Sequence, residues 1–396
     1  MQQILEPTAR KPPGIALLRL GFRPFYLCSA LLAMVAVPLW VAVFTGNLGW
    51  LAPMPPLWWH AHEMLFGFAG ATIIGFLLTA GKAWTGLGTP RGAPLGALAL
   101  LWLAARVAAL VAPYQVYALL DTLLLPIVAA VLVRLLLRSG NTRNQPLAAI
   151  LVLLSLINLV FHLAVLELLD LPVQQIVHAA LALIVMIECV MAGRVIPGFT
   201  MSATPGLKIP PKAWLDRLCL ASSALGLALW VVAPPAFAPL TAGVLALAAL
   251  SHAARQWRWQ PAVARTRPIL WILHAAYAWL PLGLGLPALA HLGVIGISAG
   301  IHALAVGATG GLIIGMMTRT ARGHTGRSLQ VGAGETLAYA LVMVAALLRV
   351  FPPLVSGDWL VPSLVLAAAS WSAAFAIYLW IYLPWLSQTR ADGRDG

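Results

Sequence analysis

Charged residues are scarce in this sequence. Only 9% of its 396 residues are Asp, Glu, Lys or Arg, whereas 61% are hydrophobic. Soluble proteins usually carry about 25% charged residues and less than half apolar ones. This balance indicates an integral membrane protein. The connections between apolar runs are too short for a separate domain and contain no Walker-type phosphate loop, which excludes a large cytoplasmic ATPase or kinase unit.

Cysteine is also rare. The three cysteines, Cys28, Cys189 and Cys219, are scattered inside apolar runs and form neither a CxxC nor a CxxCH motif. The spacing argues against a disulfide framework and excludes a thioether-linked haem attached through the usual motif.

Long hydrophobic runs, in contrast, fill most of the chain. Since a helix needs about 20 apolar residues to cross a bilayer, they predict an all-α membrane bundle of twelve transmembrane helices. A short N-terminal arm (1–24) precedes this single domain (25–386), and a polar tail (387–396) follows it. The predicted segments are 25–44, 58–81, 94–112, 114–138, 146–168, 173–197, 213–233, 236–257, 268–286, 293–318, 330–350 and 361–386.

The positions of the basic residues test this topology. All but two of the 24 Lys and Arg fall in alternate connections, and the exceptions are Arg106 and Arg349, near the other ends of segments 3 and 11. The positive-inside rule then places both termini and the basic connections in the cytoplasm. The net charge of +13 is thereby explained by membrane topology, without nucleic acid as a partner.

The start of segment 2, WWHAHEMLFGF (58–68), places His60, His62 and Glu63 at the edge of a hydrocarbon-length run. Ionisable groups in such a place suggest function by default. Residues two apart on a helix point about 200° from each other, so His60 and His62 cannot hold one ion from a regular helix. We expect them to serve two different partners.

Further histidines fall in the predicted outer half: His162 on segment 5, His178 on segment 6 and His302 about nine residues into segment 10. Imidazoles that converge from separate helices are what a buried metal centre needs, and imidazole binds both haem iron and copper. Asn158, one turn before His162, and Glu63 could orient a ligating imidazole or relay protons. Taken singly, each histidine is explained as well by an interfacial position; the set favours metal or haem. His291 is interpreted as interfacial.

Small residues predict which helices are central. Gly67, Ala71 and Gly75 in segment 2 recur every four residues, and so do Ala303, Gly307, Gly311 and Gly315 in segment 10. Such stripes allow close helix packing. Asp121, inside segment 4, is a polar exception without an assigned role.

The inner ends of segments 2, 6 and 10 carry FLLTAGKAWTG, MAGRVIPGFT and GMMTRTARGHTGR. Basic side chains beside flexible backbone suit a carboxylate, such as a cofactor edge, or a small anion. The candidate cofactor-binding residues are Arg194, Arg319, His324 and Arg327. Ordinary topology charges explain each of them equally well.

Together, GFRPFYL, WWHAHEMLFGFAGATIIGFLLTA, GRVIPGFT and HALAVGATGGLIIGMMTRTARGHTGR resemble the NnrS family over nearly the whole chain. The resemblance implies a twelve-span bacterial inner-membrane protein that binds haem and copper and takes part in nitric oxide metabolism, denitrification and resistance to nitrosative stress. The matching motif histidines are His60, His62, His178, His302 and His324. The motifs do not assign a metal to each residue.

Two other functions fit the same residues. A twelve-span bundle is also typical of transporters, here for haem, copper or a small solute, although the polar signatures recur every four segments and not as two inverted halves. A scaffold for denitrification enzymes would tolerate loss of His60 or His302. Whether the protein catalyses a reaction stays open at this level.

Overall fold

The computed structural model describes residues 14–393, and every regular element in this range is helical. Among these residues, twelve helices are long and apolar enough to cross a membrane, which confirms the predicted polytopic bundle. They are α1 (Phe22–Phe44), α2 (Pro56–Thr85), α3 (Ala93–Val111), α4 (Tyr114–Arg138), α5 (Thr142–Val165), α6 (Val173–Ala203), α7 (Ala213–Val232), α8 (Pro235–Arg258), α9 (Pro268–His291), α10 (Ser298–His324), α11 (Ala333–Val355) and α12 (Gly357–Ser387).

The first thirteen residues of the predicted N-terminal arm and the last three of the tail lie outside the described residues. They include Arg10, Lys11 and Arg394 of the charge pattern.

One boundary changes the position of a candidate ligand. Helix α9 continues to His291, beyond its predicted end at residue 286, and is followed by Gly293 with a φ of 74°. Helix α10 therefore begins only at Ser298. His302 lies near the start of α10, whereas the sequence predicted a position about nine residues into it. The apolar residues of the loop at 292–297 had obscured this boundary.

Helices α2, α9 and α10 form the centre of the bundle. Within its most apolar window, α2 is 83% buried, α10 is 72% buried and α9 is 67% buried, against 50% or less for every other span. The small-residue stripes of α2 and α10 explain this placement, because the outer helices can approach them closely. A Cβ atom on Gly75, for example, would lie 3.2 Å from the Phe22 Cα atom of α1.

The two striped helices also share a backbone irregularity. The hydrogen bonding widens to π-helical over Glu63–Ala69 in α2 and over Ala303–Gly310 in α10. A π-helical turn inserts an additional residue and rotates the side chains that follow it, and such turns are frequent at functional sites. Each begins directly after a candidate histidine, His62 or His302.

Gly307 gives a direct test of the central packing. A Cβ atom there would lie 2.3 Å from the Trp279 ring of α9, so we expect Gly307→Ala to destabilise the protein by about 1–3 kcal/mol through overpacking. Thermal unfolding in detergent measures the effect. Gly243→Ala in α8 is the matched control, because no atom of residues 14–393 lies within 4 Å of a Cβ atom there, and it should change the midpoint little. Equal midpoints for both variants would contradict the close packing.

Candidate metal centre

His62 is the most enclosed of the candidate ligands. Its side chain is fully buried, and its ring packs against Phe66 and Phe161 at centroid distances of 4.7 and 4.6 Å. The Nδ1 atom lies 2.7 Å from the Tyr117 hydroxyl, and the Nε2 atom lies 2.9 Å from Asn158 Oδ1. Side chains of α4 and α5 therefore hold the imidazole in one orientation.

His162 and Asp121 complete a group of three potential ligands. His162 Nε2 lies 3.1 Å and His62 Nε2 lies 3.4 Å from Asp121 Oδ2. Each residue offers one ligand atom, and the three atoms lie within 4.8 Å of one another. We call His62, Asp121 and His162 the His62 cluster. The other ring nitrogen of His162 meets the Tyr114 hydroxyl at 2.9 Å.

The side chains of this site come from the ends of four consecutive helices, α2 to α5. Because α2 and α4 begin, and α3 and α5 end, on the same side of the bundle, His62, Arg106, Tyr117 and His162 meet at one depth. This is the side that the charge pattern predicts to be outer. Asp121, two turns into α4, reaches the same depth.

Asn158 has a different partner from the expected one. Its predicted neighbour was His162, on the same face of α5, but its amide bridges His62 and Asp121 instead. The Nδ2 atom donates to Asp121 Oδ2 at 2.7 Å, while Oδ1 faces His62. Asn158 still orients an imidazole, but it does so across the helix interface.

Arg106 decides the charge of the cluster. Its guanidinium lies 3.0 Å from Glu63 and also forms an ion pair with Asp121. One positive charge thus faces two carboxylates, and all three side chains are buried. Uncompensated charge is costly in a membrane interior. A bound cation, or a proton on a histidine, would balance the remaining negative charge.

The hydrogen bonds show how a proton would fit. Tyr117 donates to Glu63 Oε1 at 3.0 Å, so its oxygen accepts from His62 Nδ1. Asn158 Oδ1 accepts a hydrogen bond from His62 Nε2, because the Asn158 amide nitrogen already donates to Asp121. Both ring nitrogens of His62 then face acceptors. The network can accordingly hold a doubly protonated, positively charged His62 ring. A bound metal ion would take the place of one of the two ring protons.

The donor set fits a metal ion better than a porphyrin. Two imidazole nitrogens and a carboxylate oxygen suit Cu(II) or Fe(II), and tyrosines and an amide restrain the ligands. Asn158 Oδ1 and Asp121 Oδ2 lie 2.9 and 3.4 Å from His62 Nε2, in the space that a haem plane bound at this nitrogen would occupy. A single ion is the group that these residues can accommodate.

His60 points away from the His62 cluster. Its ring stacks on Trp40 of α1 at 4.2 Å, and its Nδ1 atom has no hydrogen-bond partner among the described residues. His60 lies within electrostatic range of His302 and Arg349. The two histidines of the WHAH motif thus face different surroundings.

His302 is held in a state suited to ligation. Its Nδ1 atom donates to the Ser298 carbonyl at 2.8 Å, so a neutral ring keeps the lone pair on Nε2. Arg349 donates to the Ser298 hydroxyl at 3.1 Å. Thus His60, His302 and Arg349 gather near the same end of the bundle.

His178 does not reach either group. It stacks on Trp230 of α7 at 4.6 Å and lines a pocket of about 400 Å³ with His291, Gln174 and Gln175. His291, interpreted as interfacial from the sequence, shares this pocket.

The four inner candidates do not converge. Arg194 donates to Asn144 Oδ1 at 2.8 Å, and His324 packs 5.5 Å from the Phe22 ring. The guanidinium of Arg319 lies 3.6 Å from the centre of the Phe199 ring, and that of Arg327 lies 4.3 Å from the Trp385 ring. These contacts are with separate neighbours and define no shared site.

Sequence reasoning missed Arg106 and Tyr117 and left Asp121 without a role. A signal existed for two of them. Arg106 breaks the charge alternation, and Asp121 interrupts an apolar run. No feature of the sequence singles out Tyr117, because tyrosine is common near a membrane interface.

The fold and this site define a polytopic membrane protein with a buried histidine–carboxylate centre near one end of a twelve-helix bundle. The sequence model of the family described as NnrS protein matches residues 16–390. The chain therefore belongs to the NnrS family. Membership of this family suggests a nitric-oxide-related membrane protein. A search of curated proteins found no match.

Proposed function

We propose that this protein binds copper and haem in the bacterial inner membrane and acts in nitric oxide metabolism and protection from nitrosative stress. Family membership supports the setting. The observation that carries the metal assignment is the buried His62 cluster, whose three ligand atoms come from three helices. The alternation of basic residues supports cytoplasmic termini and an outer position for the cluster.

Copper is the metal that we assign to the His62 cluster. A nitrogen-and-oxygen donor set suits Cu(II), and copper leads the divalent affinity order. The negative charge left after Arg106 pairs with Glu63 and Asp121 favours a cation. Asn158, Tyr114 and Tyr117 orient the ligands. Glu63, whose Oε1 atom lies 3.6 Å from His62 Nδ1, serves as a proton acceptor beside them.

Haem is assigned to the remaining outer histidines. His60 and His302 each keep a ring nitrogen without a hydrogen-bond partner among the described residues. Arg349 beside them supplies the charge that a haem propionate needs. His178, which lines the pocket of about 400 Å³, is a further candidate ligand. Iron and copper both bind nitric oxide, which is the chemistry that these groups would supply.

A transport function is the second candidate, because the pocket of about 400 Å³ beside His178 is open and carries two glutamine side chains. Copper-dependent or haem-dependent flux into proteoliposomes would favour it. Stable metal content without flux favours the redox or sensing role.

Purified protein from cells supplied with haem and copper should show a Soret band and copper by elemental analysis. His60→Ala or His302→Ala should change the haem spin state or remove the Soret band, while copper stays bound at the His62 cluster. His274→Gln is the control, because His274 bonds to Thr200 at the opposite end of the bundle, and its spectra should match the wild type. Absence of both metals from folded protein would overturn the proposal.

A further inference from the structure

A second buried feature lies midway along the helices, apart from the histidines. Helices α1, α2, α6, α9 and α10 enclose a cavity of about 100 Å³. Its wall is almost wholly apolar and includes Phe76, Ala192, Leu273 and Met316. No Lys, Arg or His of the described part of the chain lines it. One side is open, where Phe76, Met191, Val195 and Met316 are partly exposed.

Glu188 places a carboxyl group on this apolar wall. Its Oε2 atom is buried and has no hydrogen-bond partner among the described residues. Thr309 of α10 lies beside Glu188, and its hydroxyl is also buried and lacks a partner of good geometry among the described residues. Unpaired polar atoms in a membrane interior cost several kcal/mol each. A ligand that paired with both would remove this cost.

The backbone directs Thr309 into the cavity. Thr309 lies within the π-helical stretch Ala303–Gly310 of α10, and Ala69, another wall residue, ends the corresponding stretch of α2. Each irregular turn thus begins beside a candidate metal ligand and ends at this cavity. π-helical turns of this kind are frequent at functional sites, and both central helices contain one next to this cavity.

The size and polarity of the cavity restrict its occupant. An engineered apolar cavity of about 150 Å³ admits benzene. The space here is smaller, about 100 Å³, but it is open on one side, so it limits the occupant to one ring that extends partly through the opening. Glu188 and Thr309 lie together on the wall, and the other polar side chains on its described part are Tyr26 and Thr72. A sugar would leave most of its own polar atoms unpaired among the apolar residues that make up the rest.

We propose that this cavity binds a lipid-soluble molecule with a single ring and a carbonyl or hydroxyl group, the class to which quinones and quinols belong. The ring occupies the apolar space. Its oxygen bonds with the Glu188 carboxyl and the Thr309 hydroxyl, and its alkyl tail leaves through the opening beside Phe76 and Met316. This inference is independent of the metal assignment, because it uses none of the histidines.

Binding is tested with the full-length protein in lipid nanodiscs, using a radiolabelled short-chain alkyl benzoquinone as the probe. Wild type should bind it saturably. Glu188→Leu should weaken binding about tenfold, which corresponds to about 1.4 kcal/mol. Glu188→Gln keeps a hydrogen-bonding head and should recover most of the affinity. Ala192→Phe fills the cavity and should abolish binding.

Two controls separate the site from its alternatives. Leu153→Phe adds a similar ring on an exposed face of α5 and should bind the probe as wild type does. The corresponding alkylbenzene lacks the oxygen and should compete weakly. The proposal is overturned by absence of saturable binding, by equal affinity in Glu188→Leu, or by equal competition from the alkylbenzene, which would indicate a hydrocarbon site. Copper and haem contents should stay unchanged in every variant that keeps the wild-type unfolding midpoint.

Discussion

Asp121→Asn should lower copper affinity by at least about a hundredfold. Loss of a residue that only supports a metal ligand lowers affinity by about 10- to 100-fold, and Asp121 is itself a proposed ligand. The substitution keeps the side-chain shape but removes the negative charge that remains after Arg106 pairs with Glu63. The cation then loses its counter-charge, and a weaker, neutral amide oxygen replaces the carboxylate ligand. Copper content after dialysis, together with the EPR spectrum, measures the loss.

Asp358→Asn is the matched control for this substitution. Asp358 is exposed in the first turn of α12, where it bonds only with Ser356 among the described residues, so copper content should match the wild type. His62→Gln and His162→Gln should behave like Asp121→Asn. Full copper occupancy in Asp121→Asn, with wild-type helix content by circular dichroism, would disprove the assignment.

Arg106→Leu should destabilise the folded protein by about 3–5 kcal/mol, the usual cost of leaving a buried charge unpaired. Glu63 and Asp121 would then be two buried carboxylates without their shared cation, close to the bundle interior. The free energy of unfolding in detergent, followed by circular dichroism, should show the decrease. Removal of bound metal beforehand keeps ligand stabilisation out of the comparison.

Arg134→Leu tests whether loss of any arginine has this effect. Arg134 is exposed in α4, so the change should alter stability by less than about 1 kcal/mol. Combining Arg106→Leu with Glu63→Gln and Asp121→Asn should recover much of the loss, because no buried charge remains unpaired. Equal stability of Arg106→Leu and wild type would show that the ion pairs contribute little.

The local sequence was sufficient to predict the helices, but it was not sufficient to predict which side chains of different helices contact one another. Hydropathy and length located all twelve spans, because each span must separately satisfy its backbone in the membrane. The same local reasoning placed His302 too deep, since the apolar loop before Ser298 resembles the start of a helix. Helical periodicity correctly separated His60 from His62, but it could not name Trp40 as the neighbour of one and Tyr117 as the neighbour of the other.

What the sequence by itself determined is therefore the class of protein, the number of spans, the family and the residues unusual enough to be candidates. The tertiary structure alone decided that Asp121 and His162 join His62, that Arg106 pairs with two carboxylates, and that His178 stands apart. The physical reason is rotation about the helix axes. If α4 or α5 were rotated about its own axis by the angle of one residue, the hydropathy of the sequence would be unchanged, but Asp121 or Asn158 would point away from His62. Only the packing of the helices against one another therefore creates the site.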